Sequence, residues 1–110
     1  MDEATLRKAL ADLPLGGVRF FDQSGSTNDV ALAWAATDAP DSVLVYAEEQ
    51  TAGRGRGSRK WFTPPGAALA FSLVFRPLPG EQQAIQLFSA LGALAVSEVL
   101  ERQGLHPEIK

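Results

Sequence analysis

The segment from Glu48 to Trp61, Glu-Glu-Gln-Thr-Ala-Gly-Arg-Gly-Arg-Gly-Ser-Arg-Lys-Trp, limits the folds open to this chain more than any other stretch. It follows directly on a β-prone run, Ser42 to Ala47, and Pro64, Pro65 and Gly66 close it. In dinucleotide-binding folds a glycine-rich turn joins a strand to a helix, so that pyrophosphate meets the helix N-terminus. Here Gly53-x-Gly55-x-x-Ser58 falls short of that fingerprint, and Trp61 and the two prolines stand where the helix should begin. A Gly-x4-Gly-Lys-Ser/Thr phosphate loop is absent too. What remains is a pliable cationic loop suited to an anion. Arg54, Arg56, Arg59 and Lys60 place four of the ten basic side chains within seven residues. Glycine lets backbone approach a ligand closely, and the arginine fork matches carboxylate and phosphate oxygens. The alternative is a solvated turn.

The 110 residues are the size of one ordinary domain, and 45% hydrophobic with 21% charged residues fits a soluble globular protein. Residues 1–110 are therefore expected to form a single α/β domain. A formal net charge of −3 argues against tracking nucleic acid with the whole surface, so the positive loop is a local device. With no cysteine and a single histidine, His106, the chain cannot build disulfides, Cys-His zinc sites or a thiol nucleophile. No dedicated metal site is expected. Met1-Asp2-Glu3 lacks the start of a secretory signal, and Gln86, Ser89, Ser97 and Glu98 interrupt the longest apolar region. The expected location is the cytoplasm, without membrane contact.

The pattern predicts a helix over Thr5 to Leu13, a strand over Val18 to Asp22, and a helix capped by Ser26 that runs to about Thr37 with Val30, Trp34 and alanines buried. Strands follow at Ser42 to Ala47 and Ala67 to Arg76; the second is apolar on both faces, and so is expected to be central. The two could pair antiparallel. Glu81 to Gln103 reads as the longest helix, with Leu87, Leu91 and Leu94 as its apolar stripe and Gly104 as its stop. His106 to Lys110 reads as the start of another strand. The expected architecture is a mixed sheet packed by helices.

Ser26-Thr27-Asn28 has a local reading, since these residues favour helix starts. Capping accounts for Ser26 and leaves Thr27 and Asn28 unexplained. With Gln50 the three offer the neutral donors and acceptors that a cyclic urea or amide requires, because an unpaired polar group in a closed pocket costs roughly 1–3 kcal/mol. Trp61 either anchors the loop or covers a ligand's apolar body. Glu48 and Glu49 are adjacent on a strand, point to opposite faces, and make a poor acid–base pair.

Ser26-Thr27-Asn28, Gln50-Thr-Ala-Gly53-Arg-Gly-Arg56-x-x-Arg59-x-Trp61, Pro64-Pro65-Gly66 and the following Leu-Ala-Phe-Ser-Leu together resemble the biotin protein ligases, collinearly from about Phe20 to Lys110. The resemblance implies a fold related to class II aminoacyl-tRNA synthetases and a ligase that activates biotin with ATP to biotinyl-5′-AMP, then transfers it to a lysine of a biotin carboxyl carrier protein of acetyl-CoA carboxylase. By matched position, Ser26, Thr27, Asn28 and Gln50 would hold the ureido head. Gly53 and Gly55 would bring backbone to biotin. Arg54 and Arg56 would meet the carboxylate and phosphate, and Arg59 the nucleotide phosphates. Trp61 would pack on the ligand chain or adenine. Lys110 stands where the family's Lys-Trp-Pro-Asn-Asp motif begins and would sit by the carboxylate and α-phosphate. Mg²⁺ would accompany ATP. The resemblance implies the N-terminal half of a catalytic domain, of the type without a DNA-binding repressor domain, with a homodimer left open. Ser58, Ala68 and Ala70 depart from residues common in the family.

Two rivals remain. A lipoate or octanoyl ligase shares the fold, but its Arg-x-x-Gly-Gly-Gly signature is missing. A non-catalytic RNA-binding module would use the Gly-Arg loop, against an acidic total and few interleaved aromatics.

Overall fold

The structure, a computed structural model, describes residues 1–109; Lys110, and with it that residue's expected role, lies outside the described residues. The chain divides into two compact units, Met1–Arg76 and Pro77 onward.

In the first unit everything is arranged about one strand. β1 (Gly17–Ser24) runs parallel to β2 (Val43–Arg54), with Gly17 opposite Val43 and Ser24 opposite Gln50. The other edge of β2 is shared by two antiparallel strands. β4 (Ala70–Val74) pairs along Val43–Ala47, and β3 (Lys60–Thr63) pairs along the end of β2, from Gln50 to Arg54. The expected mixed sheet is thus observed, and the antiparallel pairing of the two apolar strands with it.

Residues alternate faces along a strand. On one face, Leu44 and Tyr46 pack under Leu6 of α1 (Glu3–Ala9), joined by Leu10, Leu15, Val18 and Phe20. The Phe20 and Tyr46 rings stack at 5.5 Å. On the other face, Val45 lies opposite Ser72 of β4, and Ser72 bonds to Thr27 of α2 (Thr27–Ala35). Helices on both faces explain why Val43 to Ala47 are all buried and why that run is apolar throughout. Arg76 completes the far end of α2: its guanidinium donates to the carbonyls of Ala35 and Ala39, both at 2.8 Å.

Several expectations change. α1 is shorter than Thr5 to Leu13, and α2 ends at Ala35. β2 does not stop at Ala47; it continues through Gln50 and Gly53 to Arg54, because β3 supplies a hydrogen-bonding partner for the first part of the Gly-Arg segment. β4 is not central: among the described residues it pairs with β2 alone, and Phe71 and Leu73 stay exposed. Trp34 is half-buried rather than core, with Arg19 over its ring at 3.9 Å.

In the second unit, a 3₁₀ turn (Pro79–Ala84) precedes α3 (Leu87–Arg102), so the expected continuous helix is broken near Ile85. Gly104 at φ 82° ends α3 as expected, with its N–H on the Glu101 carbonyl and that of Leu105 on Leu100. Leu87, Leu91 and Leu94 are exposed, since the unit contains no second layer to cover them. Residues 105–109 form no strand. No helix among the described residues is long and apolar enough to cross a membrane.

Val45 has no exposed surface. Val45→Ala removes two buried methylene equivalents and leaves a void, so it should cost about 2 kcal/mol. Urea unfolding should show a lower midpoint at unchanged slope; a shift too small to measure would contradict β2 as the buried spine.

Candidate functional site

The site forms where the start of α2 meets the far end of β2. Ser26 begins α2 as expected: its Oγ accepts from the Asp29 N–H at 3.4 Å. Capping does not exhaust the triplet. Thr27, only 4% exposed, donates its N–H to Gln50 Oε1 at 3.0 Å, and its hydroxyl lies 3.3 Å from the same oxygen and 2.9 Å from the Ser72 hydroxyl. One residue of the helix start is thereby tied to two strands.

Gln50 needs room, and Gly53 provides it. A Cβ at Gly53 would collide with Gln50 Nε2 and come within 3.0 Å of Trp61. The glycine is required by close approach rather than by backbone angle. Next in line, Arg54 forms a two-point bond to Asp29, with Nη2 to Oδ1 at 2.6 Å and Nη1 to Oδ2 at 2.8 Å. The Arg54 hydrogen bonds hold the Asp29 carboxyl below its ordinary value of 3.8.

Between β2 and β3 the chain turns tightly. The Gly55 N–H donates to the Arg59 carbonyl at 2.8 Å, the Arg59 N–H to the Arg56 carbonyl at 3.2 Å, and Gly57 takes φ 62°. Arg56 and Arg59 are exposed on this hairpin tip and form no ion pair among the described residues. With Gly55, Lys60 and Trp61 they line an open cleft of about 380 Å³. Trp61 also borders a second cleft of about 330 Å³, lined by Thr27, Gln50, Thr63 and residues 68–71. A polar floor and a cationic rim therefore share one exposed indole.

The structure brings Thr27, Gln50, Gly53 and Trp61 together. Gly55, Arg56 and Arg59 lie along the adjoining tip. Asn28 opens instead on a neighbouring cleft with Ala31, Leu32, Leu73 and Phe75.

Three contributors escaped the sequence reading. Asp29 reads as a capping-box residue, and nothing local reveals a partner twenty-five positions away. Ser72 looks like one polar residue in an apolar strand. Glu48 accepts from the Tyr46 hydroxyl at 2.8 Å and the Gly66 N–H at 2.9 Å, and pairs with the Met1 ammonium at 2.9 Å. The bond from that ammonium and the one from Tyr46 lower the Glu48 pKa, while burial and Glu48 push the Tyr46 hydroxyl up to about 12. Glu49 takes a separate partner, Gln23, at 3.0 Å. The two glutamates serve different contacts, in keeping with opposite faces. The described residues contain no cluster of three His, Cys, Asp or Glu side chains fit for a metal ion.

The biotin/lipoate A/B protein ligase family matches residues 20–110. The chain belongs to this family. It is 47% identical over 98 residues to the bifunctional ligase/repressor BirA of Escherichia coli, covering 89% of this chain and 30% of that protein. It is 40% identical over 100 residues to the biotin–[acetyl-CoA-carboxylase] ligase of Mycobacterium tuberculosis, covering 87% of this chain and 37% of the relative. Among solved structures, the biotin protein ligase of Leishmania major in complex with biotin superposes with a TM-score of 0.63 at 35% identity, over 76% of this chain and 34% of that one. The chain thus spans about a third of the length of these relatives. The biotin protein ligase resemblance carried by the Ser-Thr-Asn and Gly-Arg segments is upheld.

Thr27→Val keeps the shape and removes the hydroxyl of a buried residue, leaving the half-buried Ser72 without that partner. It should cost roughly 1–3 kcal/mol, whereas Thr27→Ser should retain most of the stability. Equal melting temperatures for all three proteins would contradict the network.

Proposed function

We propose that this chain carries the biotin-binding side, and part of the adenylate-forming side, of a biotin–[acetyl-CoA-carboxylase] ligase. The observation that supports this reading most is the junction of Thr27 and Gln50 beside Trp61, adjoining a rim of two unpaired arginines. A bicyclic urea with an aliphatic acid tail has the same division: a neutral polar head, an apolar body and an anionic end. Ser26, Thr27 and Gln50 would meet the head, Trp61 the body, and Arg56 and Arg59 the anionic end. Asn28 enters only by its place in the Ser-Thr-Asn triplet.

In the first half-reaction a biotin carboxylate oxygen attacks the α-phosphorus of ATP. A C–O–P bond forms, the bond to the β-phosphate oxygen breaks, and pyrophosphate leaves. The carboxylate is already ionised, so no general base is needed. The barrier lies in bringing two anions into line, and fixed cations lower it. In the second half-reaction the uncharged amine of a carrier-protein lysine attacks the mixed anhydride. An amide C–N bond forms, the acyl C–O bond to the phosphate breaks, AMP leaves, and the amine's surplus proton passes to solvent. Lys110, by its family position, would stand near the carboxylate and α-phosphate.

Magnesium enters here only as part of the nucleotide substrate. Asp29 is committed to Arg54, and the described residues hold no cluster of three His, Cys, Asp or Glu side chains, so no step is assigned to a magnesium ion. The carrier domain of acetyl-CoA carboxylase is the proposed acceptor, and the cytoplasm the proposed location. Lipoate is the rival acid within the family; it lacks the urea that would use Thr27 and Gln50.

Calorimetry with biotin, with lipoate, and with biotin plus ATP tests this reading. Biotin should bind and lipoate should not displace it. Arg56→Ala should reduce binding of biotinyl-5′-AMP on the order of 100-fold while changing stability by less than about 0.5 kcal/mol. Displacement of biotin by lipoate at equal concentration, or an unaffected Arg56→Ala variant, would overturn it.

A further inference from the structure

Three ties join β2 to residues 25–29, which span the turn after β1 and the start of α2, at every second residue of the strand. Gln50 takes the N–H and hydroxyl of Thr27. The Ala52 N–H donates to the Gly25 carbonyl at 2.7 Å. Arg54 closes the series on Asp29 through two bonds. Beyond Arg54 the chain leaves the sheet and becomes the hairpin that holds Arg56 and Arg59.

Arg54 therefore differs from its two neighbours. Its planar fork is matched to both oxygens of one carboxylate, and its charge is answered. Among the described residues, Arg56 and Arg59 have no such partner. An exposed ion pair is weak when it stands alone; this one is bidentate and lies in register with two other ties between β2 and residues 25–29. Its effect falls on the direction in which the next five residues leave the strand.

We propose that Asp29 and Arg54 form a positioning clasp that sets the Gly55–Arg59 hairpin over the ligand cleft, so that the Arg54 side chain orients the anion-binding arginines instead of binding the anion itself. The inference rests on the biotin-ligase reading for its functional consequence, but the clasp itself is open to test without ligand. It makes Asp29 a determinant of binding although it touches no substrate group. It also makes the arginines of the segment unequal: Arg54 acts through Asp29, Arg56 and Arg59 act on the ligand.

Charge exchange separates the two roles. Asp29→Asn, Arg54→Ala, Arg54→Lys and the double variant Asp29→Arg with Arg54→Asp would be compared in the full chain. One readout is hydrogen exchange at the Gly55 and Arg59 amides without ligand; the other is calorimetric biotin affinity. Asp29→Asn and Arg54→Ala should each speed exchange at these amides and weaken biotin binding by roughly tenfold. Arg54→Lys should not rescue, because an ammonium cannot make the two-point bond. The exchanged pair should recover at least half of each loss on a logarithmic scale, allowing for an arginine placed unfavourably in the first turn of α2. The proposal is overturned if Asp29→Asn changes neither readout while Arg54→Ala abolishes binding, or if the exchanged pair recovers nothing. If the unsubstituted chain binds no biotin, the functional reading fails, and the exchange measurement alone decides the clasp.

Discussion

Every feature of the site depends on β2 being held on all sides except at its end. β1 pairs along one edge and β4 along the other, while α1 and α2 cover its two faces. A strand held in this way cannot slip by one residue without turning Leu44 and Tyr46 out of their layer and Val43 and Val45 out of theirs. Its last residues inherit that fixed register. Gln50, Gly53 and Arg54 are therefore delivered to set places, although they lie in a glycine-rich stretch that would otherwise sample many conformations.

The charge arrangement follows from the same geometry. Of the three arginines between Gly53 and Lys60, one is neutralised at the base of the hairpin and two are left at its tip. A cluster of three uncompensated cations would repel itself. Anchoring the first to Asp29 lowers that repulsion and leaves a smaller, directed positive rim. The neutral groups lie one strand-length inward, where Thr27 is buried and already hydrogen-bonded. A neutral polar floor set apart from a cationic rim matches an acid with a polar head and an anionic tail.

The fold was legible in the sequence where local signals agree with burial. Ser26 at a helix start, the apolar run at Val43 to Ala47 and Gly104 as a helix stop are each set by short-range physics. Errors arose where a distant partner decides. The Gly-Arg segment reads as a loop from Glu48 onward, yet β1 and then Lys60 to Thr63 lie alongside and draw it into the sheet as far as Arg54. The run from Ala67 to Arg76 is apolar on both faces, a composition that predicts a central strand; among the described residues, pairing places Ala70–Val74 at an edge. In the site, residue types announced Thr27, Gln50 and the arginines. Asp29 and Ser72 could not be found, since each has a sufficient local explanation that conceals its long-range bond.

On the proposed reading, the end of β2 and the start of α2 together grip biotin by its urea, with Arg56 and Arg59 on its activated carboxyl. A crystal structure of the chain with biotinyl-5′-AMP tests this most directly. The ureido ring should lie within hydrogen-bonding distance of Thr27 and Gln50, the phosphate against Arg56 and Arg59, and Arg54 still on Asp29. An adenylate bound elsewhere, or both hairpin-tip arginines turned to solvent with the ligand in place, would contradict it.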